Sequence, residues 1–186
     1  MNIPNKLSIF RVILTPIFMA EMLLTHKYHY LIAAVIFIVA SITDAIDGNM
    51  ARKNNQITTF GKFLDPLADK ILTTAAFLCL MQIGYCSIWV VIIVLTREFA
   101  VTSIRLVAAS KGSVIAANMW GKIKTTAQMV FTCVVFGILS IGEFVKIDYT
   151  ALQTVSHIGM WIIAALTVIS GYTYIKGNIN LINETK

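Results

Sequence analysis

The chemistry of this chain is concentrated in residues 41–70, SITDAIDGNMARKNNQITTFGKFLDPLADK. The segment holds four of the nine acidic residues, Asp44, Asp47, Asp65 and Asp69. Asp44 and Asp47 are spaced i, i+3, and Asp65 and Asp69 are spaced i, i+4. On helices, each pair would present two carboxylates on one face. Four carboxylates drawn together repel one another unless cations compensate. All-oxygen donors select hard divalent ions, Mg2+ or Mn2+, before zinc or copper. Two such ions a few ångströms apart would clamp a diphosphate and stabilise a leaving phosphate. Two other readings stand beside this one: structural ion pairing with Arg52, Lys53 or Lys70, and a cation or proton pathway through a membrane.

The residues between the pairs suit a bound ligand. Gly48, Ala51 and Gly61 remove side-chain bulk where a substrate would approach the backbone. Arg52 adds a planar fork matched to phosphate oxygens.

The elements that must position these residues are membrane helices. Of 186 residues, 58% are hydrophobic and only 13% charged, far from the composition of soluble domains. Apolar runs near the bilayer-spanning length recur along the chain. They predict six helices at about 7–24, 30–46, 60–83, 88–109, from the end of a polar connection at 111–124 to 141, and 152–175. Residues 48–59 read as a polar loop, and Asp65-Pro66 allows an alternative helix start at that point. The expected architecture is an all-α integral membrane bundle, a single domain over residues 1–186. Its polar active-site cavity would open to the cytoplasmic side.

Loop charge sets the orientation. With the N-terminus inside, Lys6, Arg11, Arg52, Lys53, Lys62, Lys70, Lys111, Lys122, Lys124, Lys176 and Lys186 fall on or near the cytoplasmic side. Only Lys27 and Lys146 fall outside. The chain is therefore expected in the cytoplasmic membrane, multi-pass, with both termini cytoplasmic. The net charge of +6 reads as inner-leaflet anchoring and not as nucleic-acid binding. Cys79, Cys86 and Cys133 show no metal or disulfide spacing and read as packing residues. His26, His29 and His157 read as interfacial.

The aspartate spacing is D-x2-D-G-x2-A-R-x8-G-x3-D-x3-D, filled by Asp44, Asp47, Gly48, Ala51, Arg52, Gly61, Asp65 and Asp69. It resembles, at every fixed position, the signature of the CDP-alcohol phosphatidyltransferase family. Eight fixed positions match by chance on the order of 10^-10 per site at average residue usage. The resemblance implies transfer of a phosphatidyl group from a CDP-linked lipid, CDP-diacylglycerol, to an alcohol, with release of CMP. It implies Asp44, Asp47, Asp65 and Asp69 as ligands of two divalent cations, with Asp69 also the general base. Gly48, Ala51, Arg52, Thr58 and Gly61 would contact the CDP portion. The segment Asn5-Lys6-Leu7-Ser8 resembles the family's nucleotide-proximal segment, which brings Asn5 and Ser8 into the donor site. The resemblance also implies a homodimer.

The acceptor is addressed by a second set of charges. Arg97 lies near mid-span in the fourth helix, Arg105 about two turns nearer the cytoplasm, and Lys122 and Lys124 open the fifth. Arg97 and Glu98 are sequence neighbours pointing different ways, so no pair is expected between them. Snorkelling toward the interface is one reading of Arg105, Lys122 and Lys124. A cationic pocket for an anionic acceptor accounts for all four. The strings Thr96-Arg97-Glu98-Phe99 and Gly121-Lys122-Ile123-Lys124-Thr125 resemble the glycerol-3-phosphate branch of the family. Inositol phosphate and phosphatidylglycerol remain alternative acceptors. A divalent-cation transporter is the non-enzyme alternative, although such acids usually lie near the midplane.

Overall fold

The computed structural model describes the backbone of residues 3–53, 59–110, 115 and 118–179, and the side chains of 5–43, 64, 66–109, 115 and 118–179. Among these residues the chain is all helical. Six helices follow one another: α1 (Ile3–Leu23), α2 (His29–Lys53), α3 (Thr59–Gln82), α4 (Ile88–Ser110), α5 (Met119–Gly142) and α6 (Tyr149–Gly177). α5 and α6 are each long and apolar enough to cross a membrane, and His29–Thr43 is a shorter apolar stretch of α2. Trp89, Phe99, Leu106, Ile158 and Ile162 are all exposed. An apolar surface of this kind is what soluble chains avoid and lipid accommodates.

Two boundaries differ from expectation. α2 continues to Lys53, so Gly48, Ala51 and Arg52 are helical and not in a loop. The apolar run does end near residue 46, but Met50, Ala51, Arg52 and Lys53 are good helix formers. α5 begins at Met119, inside the 111–124 stretch read as a connection. α3 begins at Thr59, as expected, and carries Pro66 inside it, so the alternative start at Asp65-Pro66 is not used.

The chain forms two compact units, residues 1–83 with 132–149 and residues 84–131 with 150–186. In the first, α1 packs against both α2 and α3. Fully buried Ala33, Ala40 and Ala68 supply the small surfaces that let helices approach in an apolar medium. Phe18, Phe37 and Phe136 form an aromatic knot, with ring centroids 5.2 to 5.5 Å apart. Arg11 is fully buried on α1, and its Nε donates to the Ala40 carbonyl at 3.2 Å. The start of α2 is capped from a distant part of the chain: Glu143 accepts the N–H groups of Tyr30 (2.9 Å) and Leu31 (3.1 Å). A carboxylate there complements the positive end of the helix.

In the second unit, Ser87 opens α4, its Oγ accepting the Trp89 N–H at 3.3 Å. Asn118 opens α5, its Oδ1 accepting the Gly121 N–H at 2.8 Å, while its Nδ2 donates to Thr173 Oγ1 of α6 at 3.1 Å. Gly84 adopts φ +83°, and Gln153 Nε2 donates to its carbonyl at 2.7 Å. His157 Nε2, from the third turn of α6, lies 3.1 Å from the same carbonyl. Cys79 and Cys86 are buried, Cys133 is half-buried, and all three are free thiols.

Candidate active site

Two consecutive helices carry the aspartate quartet. Asp44 and Asp47 stand one turn apart in the C-terminal half of α2, and Asp65 and Asp69 one turn apart in the N-terminal half of α3. Both belong to the first unit. Asp69 is half-buried, and its carbonyl accepts the Thr73 hydroxyl at 3.0 Å. The side chains of Asp44, Asp47, Gly48, Ala51, Arg52, Gly61 and Asp65, and Thr58 as a whole, lie outside the described residues. Asn5 and Ser8, in the first turns of α1, are both buried. An all-oxygen donor set of this kind suits hard divalent cations.

A cavity of about 600 Å³ in this unit is not at the aspartates. Met19, Met22, His29, Tyr30, Cys79 and Gln82 line it, at the opposite ends of the same helices. From His29 to Asp44 the helix rises roughly 22 Å. The cavity is therefore too far away to serve the quartet.

The predicted acceptor cations all lie in the second unit, and the structure sorts them by commitment. The Arg97 side chain is 11% exposed and that of Lys124 only 2%. Both meet the same oxygen: Glu98 Oε1 accepts from Arg97 Nη1 at 3.1 Å and from Lys124 Nζ at 2.6 Å. Arg97 and Glu98 therefore do pair, against expectation. Their Cα–Cβ vectors diverge by about 100°, but two long, unbranched side chains fold back far enough to meet around the buried Lys124 ammonium. The arrangement offsets the cost of burying the cations through charge-assisted hydrogen bonds.

Arg97 is held on a second side by Ser170, whose Oγ accepts from Nη2 at 2.7 Å. Its Nε is buried without a hydrogen-bond partner among the described residues. Arg105 is exposed; its Nε donates to the Tyr174 hydroxyl at 3.1 Å, and its guanidinium lies 5.5 Å from the centre of that ring. Lys122 is exposed and makes no ion pair among the described residues. It points roughly 200° around α5 from Lys124. Arg105 and Lys122 thus offer uncommitted donors, whereas Arg97 and Lys124 are largely spent within the protein. Beside Arg97, between α4 and α6, lies a mainly apolar cavity of about 460 Å³ walled by Ile92, Ile93, Thr96, Thr167 and Tyr172.

With this geometry in view, the comparisons are decisive on family. The family model for CDP-alcohol phosphatidyltransferase matches residues 1–169. The chain belongs to that family. A CDP-diacylglycerol--glycerol-3-phosphate 3-phosphatidyltransferase of Bacillus subtilis (strain 168) is 42% identical over 189 residues, 95% of each chain. Proteins of the same name from Haemophilus influenzae and Rickettsia bellii are 37% and 35% identical. The first match covers 94% of this chain and 92% of the relative, the second 94% of each.

For a member of the CDP-alcohol phosphatidyltransferase family, two residues went unnoticed in the sequence, Ser170 and Tyr174, and Glu98 was given no partner. Only the packing of α4 and α5 against α6 reveals them, because their partners lie 26 to 73 residues away.

Proposed function

We propose that this protein is a phosphatidylglycerophosphate synthase, transferring the phosphatidyl group of CDP-diacylglycerol to glycerol 3-phosphate and releasing CMP. The observation that carries this reading is the complete aspartate signature, set as two one-turn pairs on consecutive helices. The names of the relatives and the cluster of basic residues support glycerol 3-phosphate as the acceptor.

Asp44, Asp47, Asp65 and Asp69 would hold two divalent cations, Mg2+ or Mn2+. When bound, such ions neutralise diphosphate charge and stabilise the departing phosphate. Gly48, Ala51, Arg52, Thr58 and Gly61, with Asn5 and Ser8, would hold the CDP portion of the donor. Asp69 would accept the proton of the free primary hydroxyl of glycerol 3-phosphate. That oxygen forms a bond to the phosphorus bearing diacylglycerol, the bond from this phosphorus to the CMP oxygen breaks, and CMP departs in line. Arg105 and Lys122 would contact the acceptor phosphate through their uncommitted donors. Arg97 and Lys124, held by Glu98, would supply fixed positive charge: two cations share one carboxylate.

The setting would be the cytoplasmic membrane, with all six helices spanning, the termini cytoplasmic and a polar cavity open to that side. The excess of Lys and Arg in the inner connections supports this orientation. The chain would form one catalytic domain and, by family resemblance, a homodimer.

The test is CMP release by purified protein in detergent with CDP-diacylglycerol and Mg2+. Glycerol 3-phosphate, inositol phosphate, phosphatidylglycerol and serine are offered separately, each with and without EDTA. EDTA-sensitive release with glycerol 3-phosphate alone is the expected result. Release only with another acceptor would retain the donor chemistry and sink the acceptor assignment. Folded protein that releases CMP with none of them would overturn the reading as a whole.

A further inference from the structure

Helix α6 supplies the hydroxyl anchors of both arginines in the cluster. Ser170 is fully buried and Tyr174 is 2% exposed. Ser170 Oγ accepts from Arg97 Nη2 at 2.7 Å, and Tyr174 Oη accepts from Arg105 Nε at 3.1 Å. Gly171, between them, leaves room for the arginine stem: a Cβ there would lie 3.3 Å from Arg97 Cγ. Gly121 of α5 does the same for the head group, since a Cβ there would lie 3.1 Å from Arg97 Nη2.

The spacing of the anchors has a consequence. Arg97 and Arg105 are eight residues apart on α4, an axial separation of about 12 Å. Ser170 and Tyr174 are four residues apart on α6, about 6 Å. The two guanidinium groups are thus tied to side chains whose backbone positions are half as far apart as their own. Two like charges would drift apart toward water if left free. Arg105 is exposed, and tying it through Nε leaves its two terminal nitrogens, the half of the fork that engages phosphate oxygens, for a ligand. The Tyr174 ring beside the guanidinium adds a cation–π contact that favours the same placement.

We propose that Ser170 and Tyr174 are positioning residues that converge Arg97 and Arg105 on the phosphate of the acceptor, Tyr174 setting the terminal fork of Arg105 and Ser170 fixing Arg97 behind it. Neither hydroxyl touches substrate; each acts through its arginine. The inference rests on the acceptor-binding role given above to the basic cluster.

Steady-state kinetics on Tyr174→Phe, Ser170→Ala, Arg105→Ala and the double variant Arg105→Ala/Tyr174→Phe test it, with glycerol 3-phosphate and CDP-diacylglycerol varied in turn and folding checked by thermal melting. Tyr174→Phe keeps the ring and loses only the hydroxyl. It should raise KM for glycerol 3-phosphate about tenfold or more, the worth of one hydrogen bond to a charged group, and leave KM for the lipid unchanged. Ser170→Ala should behave in the same way and provides an independent variant should Tyr174→Phe fold poorly. In the double variant the Tyr174 change should add nothing to Arg105→Ala, because its effect passes through that side chain. Equal rises in both KM values, or multiplying effects in the double variant, would overturn the positioning role. If Arg105→Ala raises KM for glycerol 3-phosphate and neither hydroxyl variant does, the positioning role alone falls. If Arg105→Ala itself leaves that KM unchanged, the acceptor reading of the cluster falls with it.

Discussion

Glu98 and Lys124, 26 residues apart in sequence, meet at 2.6 Å between α4 and α5, and the same Glu98 oxygen also accepts from Arg97. One carboxylate therefore serves two cations that are almost wholly removed from solvent. Glu98→Gln should lower the stability of the protein by about 2 kcal/mol or more, because it removes the negative charge that two buried cations share. Adding Lys124→Met to that variant should restore part of the loss. Thermal unfolding of the purified proteins in one detergent checks both; a single variant that melts like the parent removes the ionic account.

Asp69 is placed on α3 one turn beyond Asp65 and is half-buried. Asp69→Asn keeps the shape and would remove both the proposed proton acceptor and one proposed anionic metal ligand. CMP release should fall by about 10²-fold or more, with helical content unchanged by circular dichroism. EDTA should abolish release by the parent protein, and added Mg2+ or Mn2+ should restore it. Turnover by Asp69→Asn near the parent rate would remove the residue from catalysis.

Gly159 lies under the ring of Phe131: a Cβ built there would stand 2.1 Å from Cζ and 2.4 Å from Cε2. Three ring atoms crowd that point, so rotating the ring about its own axis brings no relief. Gly159→Ala should destabilise the protein by about 1–3 kcal/mol through overpacking. The same change in a Phe131→Leu background should cost less, and the comparison of apparent Tm values decides it. Equal costs in both backgrounds would place the strain elsewhere.

His26, in the connection between α1 and α2, has its pKa raised above the usual histidine value. The causes, largest first, are the hydrogen bond to the Lys27 carbonyl and the bond to the Glu21 carboxylate. The ring nitrogens lie 3.0 Å from the first oxygen and 2.8 Å from the second, and both can donate together only in the imidazolium form. A raised folded-state pKa stabilises the protein below the unfolded value near 6.5; that contribution fades as pH rises through the folded value. An NMR titration of the ring should show a midpoint above 6.5, moved downward by Glu21→Gln. A midpoint at or below 6.5 in the parent would contradict the two-bond arrangement.

Much of this protein is written locally. Six helices were predicted and six are found, with most ends within a few residues, because a helix closes its bonds over four residues and an apolar run measures its own length. The longest miss, α2 continuing through Gly48 and Arg52 to Lys53, arose because an apolar run marks where a helix leaves lipid and not where it stops being helical. The aspartate quartet was equally legible: its meaning lies in residue types and spacings, which packing does not alter.

What the sequence by itself determined, then, was the helices, the aspartate signature and the family. Tertiary structure decided how the basic residues are used. Lys124 and Lys122 look alike in sequence, yet one is buried against Glu98 and the other is exposed. Ser170 and Tyr174 differ from their neighbours only in being met by arginines from α4. The physical reason is that these helices are apolar around most of their circumference. Periodicity therefore says little about which face turns inward, and pairing over tens of residues is settled only where helix surfaces meet.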